Sequence, residues 1–277
     1  MDDSILRLYP IPSGEVALKG CYLAERVHEL GSPKSPFVYA NFVSSLDGRI
    51  ALADAEKGTS HVPSELTSAH DFRLFLELQA QADCLITHGG YLRAIAEDRL
   101  DDILQVGTRP ETVDLAEWRA AQGLAAQPAL VVASASLDFV IPDSVAKHRQ
   151  RVYIATGSTA DAKRVADLKR RGYQVIVTGD GKFVEGRALV QALGGLGFTT
   201  LYLLAGPLML GTMLRQHMLS RLYVTVSHQL IAGEQFATMV EGLRLGNAGR
   251  LNLRSMYYDP AAADRPGQFF LRFEPAT

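Results

Sequence analysis

Short apolar runs alternate with amphipathic stretches along most of this chain, and the alternation predicts strands joined by helices. The run that begins at Phe37 is aromatic or β-branched almost without interruption as far as Val43, which is the pattern of a central strand buried on both faces. It breaks at the polar segment Ser44 to Gly48. Later apolar runs predict strands at 84–87, 129–133, 152–155, 174–178 and 200–204.

The stretches between these runs carry apolar residues at helical spacing. They predict helices over about 64–78, 91–96, 111–122, 159–171, 185–193 and 208–219. Strands that alternate with helices in this way are typical of a mostly parallel sheet with right-handed crossovers. The end of the chain differs, because three strand-like segments follow one another without helices and predict antiparallel C-terminal strands, at 221–227, 251–258 and 268–273.

The first residues of the chain do not fit this alternation. Residues 1–35 contain three prolines and one helical stretch over about 15–30, and they predict an N-terminal arm packed on a main domain of residues 36–277. Within that domain, the polar segment 51–64 is too long for a simple turn and suggests a lid.

Composition places the chain among ordinary globular proteins, with 277 residues of which 47% are hydrophobic and 21% charged. The 28 basic and 30 acidic residues are interspersed, so no long-range field attracts nucleic acid or an anionic membrane. Cys21 and Cys84 are far apart without a C-x-x-C pair, which argues against a disulfide scaffold or a zinc site. No run approaches the roughly 18 apolar residues of a membrane span. We therefore expect a cytoplasmic protein with a small-molecule partner.

The polar break after the first strand is the first candidate site. In open α/β sheets, ligands bind outside the carboxyl ends of the strands. We expect Asn41, Ser45 and Asp47 to shape the floor of a substrate site there, with Ser45 and Asp47 in catalytic roles. Asp47 could instead cap its own turn beside Gly48.

A second candidate site is the tripeptide Ala205-Gly206-Pro207, directly after a predicted strand. Glycine lets a phosphate approach the backbone, and Pro207 suits the first position of the following helix. The free N–H groups of that helix start would attract a pyrophosphate. The alternative is a simple turn, and Gly89-Gly90 is open to the same two interpretations.

Other kinds of chemistry have no support in the sequence. The seven histidines form no H-E-x-x-H pattern, so a catalytic metal is not expected. There is no G-x-S-x-G elbow, which disfavours covalent catalysis.

Two motifs carry a resemblance to a known family: Ser44-Ser45-Leu46-Asp47-Gly48 after the first strand, and the segment 203–210, LLAGPLML, with Leu230-Ile231-Ala232-Gly233 further on. Their order and spacing resemble the reductase domain of bifunctional riboflavin-biosynthesis enzymes over roughly residues 36–275. The resemblance implies a three-layer α/β/α fold of the dihydrofolate reductase-like type, with a mostly parallel central sheet and antiparallel C-terminal strands. It also implies a homodimer that binds NADPH and reduces a phosphoribosylaminopyrimidine by direct hydride transfer.

The resemblance assigns roles to further residues. It implies that the cofactor is bound by Val43, Gly89, Gly90, Ser134, Ser136, Gly206, Pro207, Leu208, Met209, Leu210, Gly211 and Thr212. It implies that the substrate is bound by Asn41, Thr59, His61, Asp71 and Leu204.

The chain departs from the family pattern at positions that contact the substrate. Leu204 stands where the family has glutamate, Gln79 where it has arginine and Tyr91 where it has threonine, and the D-P-x-L-x-x-R segment has no counterpart after Asp98. The zinc deaminase signature of the bifunctional enzymes is absent as well. Two alternatives therefore stay open: a homologue without catalysis that acts as a nucleotide-binding or assembly module, and a pterin reductase that uses Asp71.

Overall fold

The computed structural model describes residues 4–54, 59–261 and 265–276. The strands in chain order are β1 Ser4–Tyr9, β2 Gly14–Ala17, β3 Phe37–Ser45, β4 Ala51–Asp54, β5 Thr59–His61, β6 Cys84–His88, β7 Ala129–Ala133, β8 Val152–Thr156, β9 Gln174–Val177, β10 Thr200–Leu203, β11 Arg221–Ser227, β12 Phe236–Ala237, β13 Leu251–Asp259 and β14 Gln268–Pro275. The α-helices are α1 Ala69–Ala80, α2 Gly89–Ala96, α3 Val113–Ala121, α4 Asp143–Lys147, α5 Ala162–Arg170, α6 Gly186–Gly195 and α7 Pro207–Arg215.

The chain forms two compact units. The first unit takes the residues up to Glu25 together with 39–77 and those from Gly206 onwards, and the second takes 26–38 and 78–205. The predicted division into an arm over 1–35 and a domain over 36–277 stays a prediction.

The first unit contains strands in the order β2-β1-β13-β14-β11-β3. β11 runs parallel to β3, while β14, β13, β1 and β2 follow as antiparallel neighbours. A smaller antiparallel sheet has the order β12-β4-β5. The polar segment 51–64, predicted as a lid, therefore contains two short strands, because β4 finds a distant partner in β12.

The second unit contains the order β10-β6-β7-β8-β9, and all its pairings are parallel. The middle of this sheet is fully apolar and excluded from solvent, as in Leu85, Ile86, Val131 and Val132, which is expected of parallel strands covered on both faces. The predicted α/β class, with parallel strands and antiparallel strands from the end of the chain, is confirmed.

The helix predicted over 15–30 is wrong. The segment contains β2 and two short 3-10 turns, Leu23–Glu25 and Val27–Glu29. The carboxylate of Glu77 explains the difference, since it is fully buried and accepts hydrogen bonds from the N–H groups of Gly20 at 2.6 Å and Tyr22 at 3.0 Å. Backbone groups that would bond within a helix are satisfied instead by this side chain of α1.

Candidate active site

The loop after β3 is closed around the side chain of Ser45. This buried hydroxyl donates to Asp47 Oδ1 and accepts from the Arg49 N–H at 2.9 Å. The Gly48 N–H donates to the Ser45 carbonyl at 3.0 Å, and Gly48 has a φ of 81°, a conformation that favours glycine. The predicted turn at Asp47-Gly48 is therefore present.

The carboxylate of Asp47 has several further partners within the first unit. It accepts from Arg49 Nη1 at 2.5 Å, from the Ala232 N–H at 2.9 Å and from the Ile231 N–H at 3.4 Å. The hydrogen bond from Ser45, followed by that from Ala232, lowers the pKa of Asp47 to about 2. Asp47 is ionised at neutral pH and cross-links two loops, a geometry that suits the turn-capping alternative.

Asp71 has the opposite electrostatic character. It lies in the first turn of α1, where its N–H donates to the Ser68 hydroxyl at 3.0 Å, and its side chain is buried. Burial raises the pKa of Asp71 to about 6, against the opposing effect of a hydrogen bond with Thr225. A carboxyl group with a pKa close to neutrality is suited to general acid chemistry.

Strand register brings several predicted residues to the face that Asp71 covers. Thr225 of β11 pairs with Val43 of β3, and neighbouring residues in register point to the same face. Alternation then puts Asn41 and Ser45 on that face too. The structure thus gathers Asn41, Val43, Ser45 and Asp71 around Thr225, a residue that sequence reasoning missed although it lies on the polar side of the alternating run 221–227.

Two predicted substrate residues lie in the small antiparallel sheet. His61 is the last residue of β5 and is exposed, opposite Leu52 of β4. Thr59 begins the same strand and pairs with Asp54, and its side chain lies outside the described residues. A substrate role for these two residues stays a prediction.

The start of α7 combines an accessible turn with a packed interior. Gly206 is the N-cap and Pro207 the first helical residue, and no atom lies within 4 Å of the position that a Gly206 Cβ would take. Leu208 is exposed, whereas Leu210 is fully buried.

The predicted cofactor residues further along α7 face protein. A Cβ on Gly211 would lie 2.5 Å from the Glu241 carbonyl oxygen, so the missing side chain makes room for that loop. The Thr212 hydroxyl donates to the Leu208 carbonyl at 2.9 Å. The backbone accessible to a ligand therefore extends from Gly206 to half-buried Met209, and not along the whole predicted stretch 206–212.

In the second unit, Gly89 and Ser134 are in close contact. Gly89 is the first residue of α2, and a Cβ there would lie 2.8 Å from the Ser134 hydroxyl. The Ser134 hydroxyl accepts from the Leu137 N–H at 3.0 Å, which shapes the loop after β7, while Ser136 is exposed. Gly90 is half-buried beside the imidazole of His88. The three predicted residues Gly89, Gly90 and Ser134 therefore lie at the carboxyl ends of adjacent parallel strands.

The positions that depart from the family pattern have structural partners. Gln79 is buried and its Nε2 donates to the Ile103 carbonyl at 2.6 Å. The Tyr91 hydroxyl accepts from the Ile103 N–H at 3.2 Å and donates to the Asp101 carbonyl at 2.7 Å. Both side chains hold the segment 101–103. Leu204, half-buried after β10, donates its N–H to the Ile86 carbonyl at 2.8 Å.

Metal and membrane features were also sought in the part of the chain that the structure describes. Over these residues, no group of three or more histidine, cysteine or acidic side chains is arranged to hold a metal ion. No described helix has the length and apolar character needed to cross a bilayer.

Comparison with known proteins gives one family match and a set of related structures. The model of the RibD C-terminal domain matches residues 36–259. No curated protein sequence matches this chain.

A pyrimidine reductase-like protein from Corynebacterium diphtheriae is similar in structure, with a TM-score of 0.63 and 19% identity over 87% of this chain and 92% of that one. RibD from Acinetobacter baumannii has a TM-score of 0.60 at 18% identity over 88% of this chain, which spans 59% of that protein. The riboflavin biosynthesis reductase Rib7 from Saccharomyces cerevisiae has a TM-score of 0.54 at 12% identity, over 87% of this chain and 90% of Rib7.

At these identities, the structural likeness establishes the fold. The family match is independent of it and extends over most of the chain, through both motifs on which the resemblance rests. This protein therefore belongs to the RibD C-terminal domain family, the pyrimidine-reductase family of dihydrofolate reductase-like fold that its sequence motifs indicate.

Proposed function

We propose that this protein is an NADPH-dependent reductase that transfers a hydride directly to a C=N or carbonyl carbon of a compound like 5-amino-6-(5-phosphoribosylamino)uracil. The observation that carries the proposal is the convergence of Asn41, Val43, Ser45 and Asp71 around Thr225, at the carboxyl ends of two parallel strands. A rigid strand end of this kind keeps reacting groups in fixed positions, and misplacement of reacting atoms is costly to rate.

The residues present fit NADPH. The space beyond Gly206 leaves the backbone open at the start of α7, where helix N–H groups suit a pyrophosphate. In the second unit, Gly89 and Gly90 begin α2 next to the Ser134 hydroxyl. Bound NADPH would supply the hydride, while the protein supplies orientation and electrostatics.

The side chains of the first unit would then have separate tasks. Asp71 holds a proton near neutral pH and would donate it to the nitrogen or oxygen of the bond whose carbon takes the hydride, with Thr225 orienting its carboxyl group. Ser45 and Asp47 keep the loop after β3 in place, since Asp47 is ionised and bonded to Ala232. We assign the proton transfer to Asp71 and a positioning role to Asp47.

A screen of NADPH oxidation against pyrimidine and pterin substrates tests the proposal. We expect turnover of the pyrimidine and a rise in melting temperature with NADPH, by mass action. Gly206→Asp should abolish that rise, because a carboxylate would enter the space beside the pyrophosphate. Retention of the full shift in Gly206→Asp, or no shift at millimolar NADPH in the wild type, would refute the cofactor site.

A pterin reductase is the second candidate. It is favoured by the buried Asp71–Thr225 pair, because a carboxyl group on the first helix can hydrogen-bond a pterin ring. It is favoured also by Gln79 and Tyr91, which hold the segment 101–103 rather than presenting the family's arginine and threonine to a phosphorylated substrate. Turnover of dihydropterin substrates without turnover of the pyrimidine would select this candidate.

A module that binds nucleotide without catalysis is the third candidate. It would give the NADPH-induced rise in melting temperature with no oxidation of NADPH by any substrate in the screen.

For the assembly, we propose a homodimer in a reducing cytoplasm, in keeping with the family and with the unpaired thiols of Cys21 and Cys84. A monomeric mass by light scattering would contradict the dimer.

A further inference from the structure

Four buried polar side chains form a row across the sheet of the first unit. Ser45 of β3 pairs with Ser227 of β11. Ser227 pairs in turn with Gln268 of β14, and Gln268 pairs with Asp259 of β13. Each of the four residues is at most 2% exposed. Because neighbours in register point to the same face of a sheet, the row lies on the face that Asp71 covers and extends from the loop after β3 to the hairpin of β13 and β14.

The carboxylate at the far end of this row, that of Asp259, is surrounded by donors. Arg265 donates two hydrogen bonds of 2.9 Å to it, and Gln268 Nε2 donates one of 2.7 Å. His70 Nδ1, in the first turn of α1, lies 3.0 Å from Oδ2. Such donors offset the cost of burying a charge. We refer to His70, Asp259, Arg265 and Gln268 as the Asp259 cluster, and it attaches the hairpin to the start of α1.

Gln268 connects this cluster to the residue that begins α1. Its Nε2 also donates to the Ser68 hydroxyl at 2.7 Å. The same hydroxyl accepts from the Asp71 N–H at 3.0 Å, and the Ser68 carbonyl accepts from the Phe72 N–H at 2.9 Å, which is the geometry of a helix N-cap. The hydrogen bonds of Gln268 and Ser68 therefore fix the backbone of Asp71, while Thr225 bonds its side chain.

We propose that Asp259, Gln268 and Ser68 are positioning residues for the reduction, which hold the first turn of α1 so that the Asp71 carboxyl group meets Thr225 and the substrate in one fixed geometry. A proton donor has to be placed accurately, since a displacement of about 1 Å can cost much of the rate. The inference rests on the proposed function and deepens it, because it assigns part of the rate to side chains that touch no reactant.

The proton affinity of Asp71 depends on this position. Its pKa of about 6 is raised by burial and lowered by the hydrogen bond with Thr225, so a displaced carboxyl group that loses Thr225 should have a higher pKa. Tyr22 interacts with Asp71 from the N-terminal segment, but burial raises the pKa of its phenol well above the usual value and keeps it neutral. The charged groups on the hairpin side belong to the Asp259 cluster, in which His70 can change charge near neutral pH.

Carbon-13 NMR of the aspartate carboxyl groups tests the proposal in the free protein, with the Asp71 signal assigned by its loss in Asp71→Asn. The variants are Gln268→Met, which keeps the side-chain volume but cannot donate, and Ser68→Ala, which removes the shared hydroxyl. Ser68→Thr keeps a hydroxyl. The matched controls are Gln174→Met, at an exposed glutamine of β9, and Ser255→Ala, at a buried serine on the same face of β13.

We expect the titration of Asp71 to move to higher pH in Gln268→Met and Ser68→Ala, and to stay at the wild-type position in Ser68→Thr and both controls. His70→Asn retains an amide donor toward Asp259 but cannot titrate, and it too should leave the Asp71 midpoint in place. A midpoint that moves in His70→Asn but not in Gln268→Met would show that the histidine charge acts on Asp71, and it would overturn the positioning role.

Kinetics give a second measurement that a merely structural cluster would not change. Gln268→Met and Ser68→Ala should lower kcat/KM by about 10- to 100-fold with NADPH affinity unchanged. In an Asp71→Asn background, the same changes should have no further effect, because residues that act through Asp71 cannot act without it. Additive losses in the double variants, or an Asp71 titration that is unmoved in Gln268→Met and Ser68→Ala, would overturn the proposal.

The NMR measurement separates failure of this inference from failure of the proposed function. An Asp71 titration that moves in Gln268→Met, in a protein that reduces no substrate, would keep the positioning of Asp71 and reject the reductase. Turnover by the wild type, with Gln268→Met unchanged in both titration and kinetics, would keep the reductase and reject the positioning role. Absence of both effects would reject both.

Discussion

The backbone N–H of Ala232 donates a hydrogen bond of 2.9 Å to the carboxylate of Asp47, across 185 positions of the chain. This bond joins the turn after β3 to a loop in which Ala232 itself has a φ of 58°. A carboxylate is the acceptor best suited to hold such a backbone, since hydrogen bonds to a charged group are stronger than neutral ones. The Asp47 side chain therefore stabilises two loops at once.

Acid unfolding of Asp47→Asn tests this linkage. Because the folded-state pKa of Asp47 is about 2 and the usual value for aspartate is about 3.9, its contribution is complete above about pH 4 and is lost as the pH falls through about 2. The melting temperature of Asp47→Asn should be a few degrees below that of wild type at pH 7, and this difference should disappear toward pH 2. Glu234→Gln, an exposed change in the same region, should match wild type throughout.

Kinetics of the same variant separate the two roles of Asp47. If Asp47→Asn folds and keeps kcat/KM, the residue is structural only. If kcat falls while NADPH affinity is unchanged, Asp47 stabilises the transition state.

The Asp71–Thr225 pair predicts the pH profile of the reaction. A general acid with a pKa of about 6 requires kcat/KM to decline as the pH rises above that value. Asp71→Asn should remove this limb and lower kcat/KM by about 10² to 10⁴. Thr225→Val should move the limb to higher pH, because the lost hydrogen bond favours the ionised carboxylate. If the decline of kcat/KM at high pH is unchanged in Asp71→Asn, another group donates the proton. Thr238→Val, at an exposed threonine, is the control for Thr225→Val.

Burial of Asp71 also predicts a stability difference with a defined sign. Its pKa is raised from about 3.9 in the unfolded chain to about 6, so ionisation destabilises the fold progressively between pH 4 and pH 6. Two pKa units correspond to about 3 kcal/mol. The free energy of unfolding of Asp71→Asn, relative to wild type, should therefore rise by about that amount from pH 4 to pH 8. A pH-independent difference in urea unfolding would contradict the buried-carboxyl assignment.

Two glycines in helices should respond in opposite ways to alanine. Gly211→Ala would bring a Cβ to 2.5 Å from the Glu241 carbonyl oxygen and should cost about 1–3 kcal/mol of unfolding free energy as the loop is displaced. Gly195→Ala, in α6, meets no atom within 4 Å and should be neutral or stabilising by about 0.5–1 kcal/mol. Thermal and urea unfolding measure both variants. If Gly211→Ala and Gly195→Ala change the free energy of unfolding equally, the Glu241 loop does not pack on α7 in solution.

Glu77 should be essential for the conformation of residues 20–23. Its buried carboxylate accepts from the Gly20 and Tyr22 N–H groups and from Arg73 Nε at 2.9 Å. Glu77→Ala removes the buried acceptor of these hydrogen bonds and should cost about 3–5 kcal/mol in urea unfolding. Glu117→Ala, an exposed glutamate of α3, is the matched control and should cost little. A loss in Glu77→Ala no larger than in the control would show that the segment is held by other contacts.

Local composition was sufficient for the elements of the parallel sheet. The strand over 129–133 has the bounds that its apolar run predicts, because a run buried on both faces has no competing helical period. The strand over 221–227 has the bounds that its alternating pattern predicts. The turn at Asp47-Gly48 and the helix start at Gly206-Pro207 were also predictable, since glycine and proline restrict the backbone locally. These signals were enough to indicate the family.

Contacts between distant residues decided the rest. β1 was missed because it pairs with β13, about 250 positions away, and β2 joins the sheet through β1. The segment 20–23 follows Glu77 rather than its own helical pattern. The sequence by itself determined the fold class and the strand ends at which candidate side chains cluster. Only the tertiary structure decided that Asp71 is buried against Thr225 while Asp47 is ionised and bonded to Ala232, because a carboxyl group's proton affinity depends on the dielectric and the donors that other parts of the chain bring to it.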